Sequence, residues 1–233
     1  MKVAPITGGS KGIGYAVAES LLKGGYGVAI TSRTIDSANK AAAKLGAFGD
    51  VLAIEADVKD YQSQQDAVNL VLEKWGQIDV LIANAGVGNF ASIEELTTND
   101  WQETIDTNLT GVFYSIKASL DSIKKTKGYI ITISSLAGTN FFASGSAYNA
   151  SKFGLTGFTQ AVMLDLRKYG IKVSTIMPGS VATYFNDHEP DQDKDSWKIQ
   201  PEDLGELVVS LLKMPARTLP SKIEIRPTTP VGS

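Results

Sequence analysis

The sequence predicts an α/β domain built on an open, doubly wound parallel sheet, and three observations predict it. Short apolar runs alternate with longer amphipathic stretches from one end of the chain to the other. A glycine-rich turn joins the first apolar run to the first helical pattern. No repeat, low-complexity tract or Pro/Gly/Ser linker breaks the alternation, so residues 1–233 read as one domain.

Strands are expected at about Val3–Thr7, Gly27–Ser32, Val51–Ala56, Ile78–Ala83, Gly128–Ser134, Lys172–Met177 and Lys222–Arg226. Helical patterns lie between them at about 12–24, 36–46, 60–75, 98–126, 146–169 and 201–213. Such alternation implies βαβ units whose right-handed crossovers cover both faces of the sheet. Thr97 or Thr98 is the expected N-cap of the fourth helix, with Asp100 in its first turn. Pro5 is the misfit: inside a strand it cannot donate to the ladder, so either the strand is distorted or one hydrogen bond is missing.

Bulk composition narrows the function classes. The chain is 43% apolar and 20% charged, with net charge −3 and pI near 5.3, which disfavours nucleic acid as the main partner. It has no cysteine, hence no disulfide or thiolate site, and its one histidine, His188, cannot build a multi-histidine metal centre. No signal-peptide pattern opens the sequence and no apolar run is long enough for a membrane span, so a cytoplasmic protein is expected.

The first strand leads into Thr7-Gly8-Gly9-Ser10-Lys11-Gly12-Ile13-Gly14 and then a helix. Glycines let the backbone turn sharply and approach a pyrophosphate, to which the helix N-terminus offers amides and positive dipole. The loop is therefore expected to hold a dinucleotide through Gly8, Ser10, Lys11, Gly12, Ile13 and Gly14. The second strand ends in Arg33, where an NAD-selective site wants a carboxylate. Arg33 and Lys11 suit a 2′-phosphate instead, which points to NADP(H); Asp36 dissents, but lies far enough on to start the next helix. Asp57-Val58 after the third strand and Asn84-Ala85-Gly86 after the fourth should gather at the same carboxyl edge, with Asp57 facing the adenine.

Tyr148 and Lys152 stand four apart in a helical pattern, so they share one face. A cation about 5 Å from the phenol, at an effective dielectric of about 20, would lower its pKa by roughly 2 units, towards the range of an acid/base catalyst. Ser134-Ser135 closes the fifth strand, where a hydroxyl can hold a substrate oxygen.

Taken together, Thr7-Gly8-x-x-x-Gly12-x-Gly14, Asn84-Ala85-Gly86, Asn108, Ser135, Tyr148-x-x-x-Lys152 and Pro178-Gly179 resemble the short-chain dehydrogenase/reductase family, in order and over nearly the whole chain. The resemblance implies a Rossmann-like seven-stranded sheet of order 3-2-1-4-5-6-7. It selects Ser135 rather than Ser134 as catalytic, and matches Asn108 to the family asparagine that interrupts its helix and holds a water behind the lysine. The implied chemistry is hydride transfer between NADP(H) and a carbonyl/alcohol pair, with Tyr148 as proton donor and Lys152 holding the nicotinamide ribose. Pro178, Gly179, Val181 and Thr183 should cap the nicotinamide.

The segment after Thr183 sets the substrate in this family and is short here. Candidate lining residues are Phe141, Phe142, Tyr184, Phe185 and Trp197, while His188 is expected to face solvent. The C-terminal run Lys222–Pro230 resembles the subgroup acting on small alcohols, aldehydes or hydroxy acids, rather than reductases of acyl-carrier-protein thioesters, which stay the alternative. A cofactor-binding regulatory protein is the reading from another class, but it would lack Tyr148, Lys152 or Ser135. The resemblance also implies a homodimer or homotetramer formed through the long helices, with Phe113, Phe153 and Phe158 compatible with burial there.

Overall fold

The apolar runs assemble into a parallel sheet because each is followed by a helix that must lay its apolar stripe back across the strands. A computed structural model describes residues 1–191 and 193–230. Among them, seven strands pair in parallel in the order β3-β2-β1-β4-β5-β6-β7. The strands are β1 Val3–Ile6, β2 Gly27–Ser32, β3 Val51–Glu55, β4 Val80–Ala83, β5 Tyr129–Ile133, β6 Lys172–Pro178 and β7 Lys222–Ile225. The helices are α1 Gly12–Lys23, α2 Ile35–Leu45, α3 Tyr61–Trp75, α4 Thr98–Ile105, α5 Gly111–Thr126, α6 Ser146–Leu166 and α7 Pro201–Lys213. No helix among the described residues is long and apolar enough to cross a membrane.

Each face of the sheet has its own core. Ala4 and Ile6 of β1 pack with Val17, Leu21 and Leu22 of α1 and with Leu204, Val208 and Leu211 of α7. Val3, pointing the other way, joins Val71 of α3, Val112, Ile116 and Ile123 of α5, and Leu155 of α6.

Pro5 resolves into a missing bond on one side of β1. On the β2 side four consecutive pairs run from Val3↔Gly27 to Ile6↔Ile30. Val3 and Thr7 both direct their N–H groups towards β4, to Asp79 Oδ2 at 2.8 Å and Ile82 O at 3.0 Å. Pro5 lies between them on the same alternation, so the absent donor faces β4, where the register holds the single pair Ile6↔Ile82.

The continuous helix expected over 98–126 is a correction. α4 is capped by Thr97, whose Oγ1 accepts from Asp100 N at 3.1 Å, but it ends at Ile105. A π-helical turn, Asp106–Thr110, inserts an extra residue before α5. That insertion turns Thr107 and Asn108 inward, where both are buried. On the outer side of α5 and α6, Phe113 and Phe158 pack edge to face at 6.2 Å.

Candidate active site

The glycine loop is shaped by close approach. Gly8 and Gly12 have φ of +64° and +57°, which side chains rarely tolerate. A Cβ on Gly14 would lie 2.4 Å from Gly8 O and 2.5 Å from Asn84 Nδ2. Asn84 braces the loop from β4: its Nδ2 donates to Thr7 O at 2.9 Å and Gly8 O at 3.0 Å. Thr7 Oγ1 returns the contact by accepting from Asn84 N and Ala85 N at 3.0 and 3.1 Å. Asn84 therefore supports the loop rather than reaching outward. The first turn of α1 contains no acidic residue, and its N-cap Lys11 contributes no capping side chain. The helix thus presents bare amides and positive dipole to the loop, a cradle that fits a pyrophosphate. Gly14→Ala is expected to weaken dinucleotide binding by about a hundredfold and to cost about 1–3 kcal/mol of stability. Nucleotide fluorescence titration and thermal unfolding measure the two.

The other predicted cofactor residues line the same carboxyl edge. Ser10 Oγ donates to Ser32 Oγ at 3.4 Å, linking the loop to the end of β2. Arg33 and Lys11 are exposed. Asp57 spends one carboxylate oxygen on Lys59 N at 2.9 Å, and Val58 is buried against Gly111. Gly86 approaches both Asn108 Oδ1 and Lys152 Nζ. Pro178 ends β6 paired with Ile225, and Gly179 N donates to Ile225 O at 2.8 Å. Val181 bridges to Ile199, and Thr183 lies against Gly12, so this segment closes over the glycine loop.

α6 delivers the reactive groups, and its inner face is unusually polar: Tyr148, Asn149, Ser151, Lys152, Thr156 and Thr159 are all buried. Lys152 Nζ donates to Ile133 O at 3.0 Å and lies 5.7 Å from the centre of the Tyr148 ring. Ser135, extended just past β5, donates to Pro178 O at 3.5 Å and accepts from Ala137 N at 3.1 Å, close enough to Tyr148 to favour its phenolate. Ser134 is turned the other way, donating to Lys152 O at 3.3 Å and sharing a hydrogen bond with Thr156 Oγ1 at 3.1 Å. Asn108 binds Val87 twice, accepting from its N–H at 2.8 Å and donating to its carbonyl at 2.9 Å. It also donates to Ser151 Oγ at 3.1 Å, and that hydroxyl donates to Tyr148 O at 2.7 Å. Ser151, which the sequence reading passed over, thus ties Asn108 to the turn of α6 that carries Tyr148.

The acid–base balance differs from the expectation. Burial pushes the Tyr148 phenol up to about 12, with the Ser135 hydrogen bond pulling the other way. Burial brings Lys152 down to about 8. The phenol is not depressed as expected, because its desolvation outweighs the Ser135 contact that favours the phenolate. The chain itself therefore holds Tyr148 as an acid across the neutral range.

Two phenyl rings pack against Tyr148 and a third packs on one of them. Phe90 stands edge-on to Tyr148 at 5.2 Å, Phe185 lies at 5.8 Å, and Phe142 packs edge-on to Phe90 at 5.6 Å. Phe90 was missed by the sequence reading, although it stands in the loop after β4, four residues beyond Gly86. Of the other lining candidates, Phe141 is 86% exposed and Tyr184 is exposed. Trp197 does not join the wall: it borders a separate groove of about 410 Å³ with Ile225, Arg226 and Pro227. His188 is half-exposed, and its Nε2 meets Asp195 Oδ2 at 2.5 Å while Lys198 Nζ holds the other oxygen at 2.6 Å.

A family model described as short chain dehydrogenase matches residues 2–194. Trans-4-hydroxycyclohexanecarboxylate dehydrogenase of Sinomonas cyclohexanicum is 38% identical over 189 residues, covering 78% of this chain and 73% of that protein. An alcohol dehydrogenase from the archaeon Thermococcus sibiricus, solved with 5-hydroxy-NADP, superposes with TM-score 0.92 at 33% identity, covering 98% of this chain and 97% of that one. A metagenomic short-chain oxidoreductase in complex with NADP superposes with TM-score 0.85 at 31% identity, covering 98% of both. With its fold, its glycine cradle and this match over most of its length, the chain belongs to the short-chain dehydrogenase/reductase family of oxidoreductases.

Proposed function

We propose that the protein interconverts a small apolar carbonyl compound and its alcohol with NADP(H), using Tyr148 as the proton donor. The observation that carries this reading is the Tyr148 phenol held between Ser135 and Lys152 at the carboxyl edge of the sheet. When bound, the nicotinamide supplies the hydride that the carbonyl carbon receives. The chain's own part is to position and protonate. Ser135 and Tyr148 present hydroxyls that hydrogen-bond the carbonyl oxygen, and the phenol passes its proton to that oxygen as charge develops there. Lys152 stands ready to hold the ribose hydroxyls, with Asn108 and Ser151 fixing the turn behind it. The cradle of Gly8, Gly12, Gly14 and the α1 N-terminus suits the pyrophosphate, and Lys11 with Arg33 suits the 2′-phosphate. Both solved relatives named above carry NADP-type nucleotides, which supports that preference.

Substrate class follows from the wall. Phe90 and Phe185 pack against the Tyr148 ring with Phe142 beside Phe90, an apolar lining that suits alkyl or ring ketones and leaves a carboxylate unpartnered. The Sinomonas relative is named for a ring alcohol that also bears a carboxylate; the ring suits this wall and the carboxylate is the feature this wall does not serve. The test is NADPH oxidation, followed by the absorbance of the reduced nicotinamide, against cyclic and linear ketones, aldehydes, 2-oxo acids and an acetoacetyl thioester. Apolar ketones should exceed size-matched 2-oxo acids by about tenfold or more in kcat/KM. Tight NADPH binding without turnover of any carbonyl would overturn the assignment.

A further inference from the structure

The second cation of the adenosine end has an unexpected neighbour. Arg33 follows β2, and Glu103 reaches it from α4, an element that belongs to the other side of the sheet's switch point. Glu103 Oε1 lies 3.9 Å from Arg33 Nη1, and both side chains are more than a third exposed. That separation is too long for the charge-assisted hydrogen bond of a forked Arg–carboxylate pair, so the donors of Arg33 stay available. What remains is a carboxylate standing beside the guanidinium that would receive a phosphate. Glu103 also lies four residues before Thr107, which the π-helical turn carries inward beside Asn108. The other carboxylate near this strand end is engaged: Glu55 Oε2 accepts from Ile35 N at 2.9 Å.

We propose that Glu103 is a selectivity residue that weakens binding of 2′-phosphorylated nicotinamide nucleotides relative to their unphosphorylated forms. This rests on the assignment of Arg33 to the 2′-phosphate. A dianion arriving at Arg33 meets a like charge within a few ångströms and must lose water beside it. A neutral 2′-hydroxyl suffers neither effect and can donate to the carboxylate. Pre-organisation of Arg33 by Glu103 would act in the opposite sense, but a long, solvent-exposed pair fixes its side chains weakly. Repulsion therefore dominates, and the chain keeps usable affinity for NAD(H) alongside NADP(H).

Binding measured without turnover decides it. Wild type, Glu103→Gln, Glu103→Lys and Arg33→Ala are titrated calorimetrically with NADPH, NADH, adenosine 2′,5′-bisphosphate and 5′-AMP, at low and at high salt. Glu103→Gln should tighten NADPH and the bisphosphate by about three- to tenfold at low salt, and Glu103→Lys by more. NADH and 5′-AMP should stay within about twofold, and the gain should shrink at high salt. Weaker NADPH binding in Glu103→Gln, or an equal change for both nucleotide classes, overturns the proposal. Arg33→Ala tests the underlying assignment separately, since it should weaken only the 2′-phosphorylated ligands. If it does so while Glu103→Gln is flat, only the role of Glu103 falls; if it leaves all four ligands unchanged, the NADP assignment falls as well.

Discussion

Replacing Tyr148 by phenylalanine is expected to lower kcat about a thousandfold, equivalent to roughly 4 kcal/mol of transition-state stabilisation, while leaving NADPH affinity nearly unchanged. The substitution removes one oxygen from a pocket whose packing comes from rings. Phe90 and Phe185 contact the Tyr148 ring rather than its hydroxyl, so the phenylalanine should sit where the tyrosine sat. Ser135 keeps its hydrogen bonds to Pro178 O at 3.5 Å and from Ala137 N at 3.1 Å, and stays in place. What disappears is the proton source. With burial raising the phenol to about 12, Tyr148 keeps its proton at neutral pH. Steady-state kinetics with an apolar ketone, together with an NADPH titration, read the two quantities. Retention of more than about a tenth of wild-type kcat would remove Tyr148 from the proton path.

How much of this was legible beforehand depends on the range over which each feature is decided. Tyr148, Lys152 and Ser135 were readable because their relation is set within one helix and one strand end, where spacing translates into geometry. The glycine loop was readable for the same reason, and the strand order followed from the family pattern. The π-helical turn was not, since a single inserted residue barely disturbs an amphipathic pattern, although Asn108 at its centre pointed to the break. Phe90 and Trp197 show the limit of local inference. Both are aromatics in loops at the carboxyl edge, yet one covers the phenol and the other turns to the end of β7. Loop path, set by long-range packing, makes that distinction. The phenol's pKa was misjudged because the charge of Lys152 was visible in the sequence and the burial of both groups was not.

Lys152→Met is expected to abolish turnover and, at the same time, to stabilise the protein without cofactor by about 1–2 kcal/mol, or several degrees in Tm. Lys152 is 4% exposed, and burial lowers its pKa from 10.5 to about 8. Folding at neutral pH therefore carries a buried ammonium, which donates a hydrogen bond to Ile133 O at 3.0 Å. Methionine fills a similar volume without the charge; loss of the bond to Ile133 O offsets part of the gain. The pH dependence distinguishes this cause from a general packing effect. Because the unfolded lysine holds its proton up to about 10.5 and the folded one only to about 8, the unfolded state binds more protons between those values. Wild-type stability from this group must then rise with pH from about 8 to 10.5, and the advantage of Lys152→Met must shrink over the same window. Tyr148 acts oppositely and later. Its folded pKa is raised, so its contribution is present below its ordinary value of 10.0 and is lost towards about 12, in both proteins alike. Urea unfolding of the two proteins at pH values below 8 and near 10 measures the difference directly. A constant gap across that range would mean that the lysine's charge is not what the fold resists; a closing gap would show that the protein keeps a destabilising cation in its core for the sake of the site.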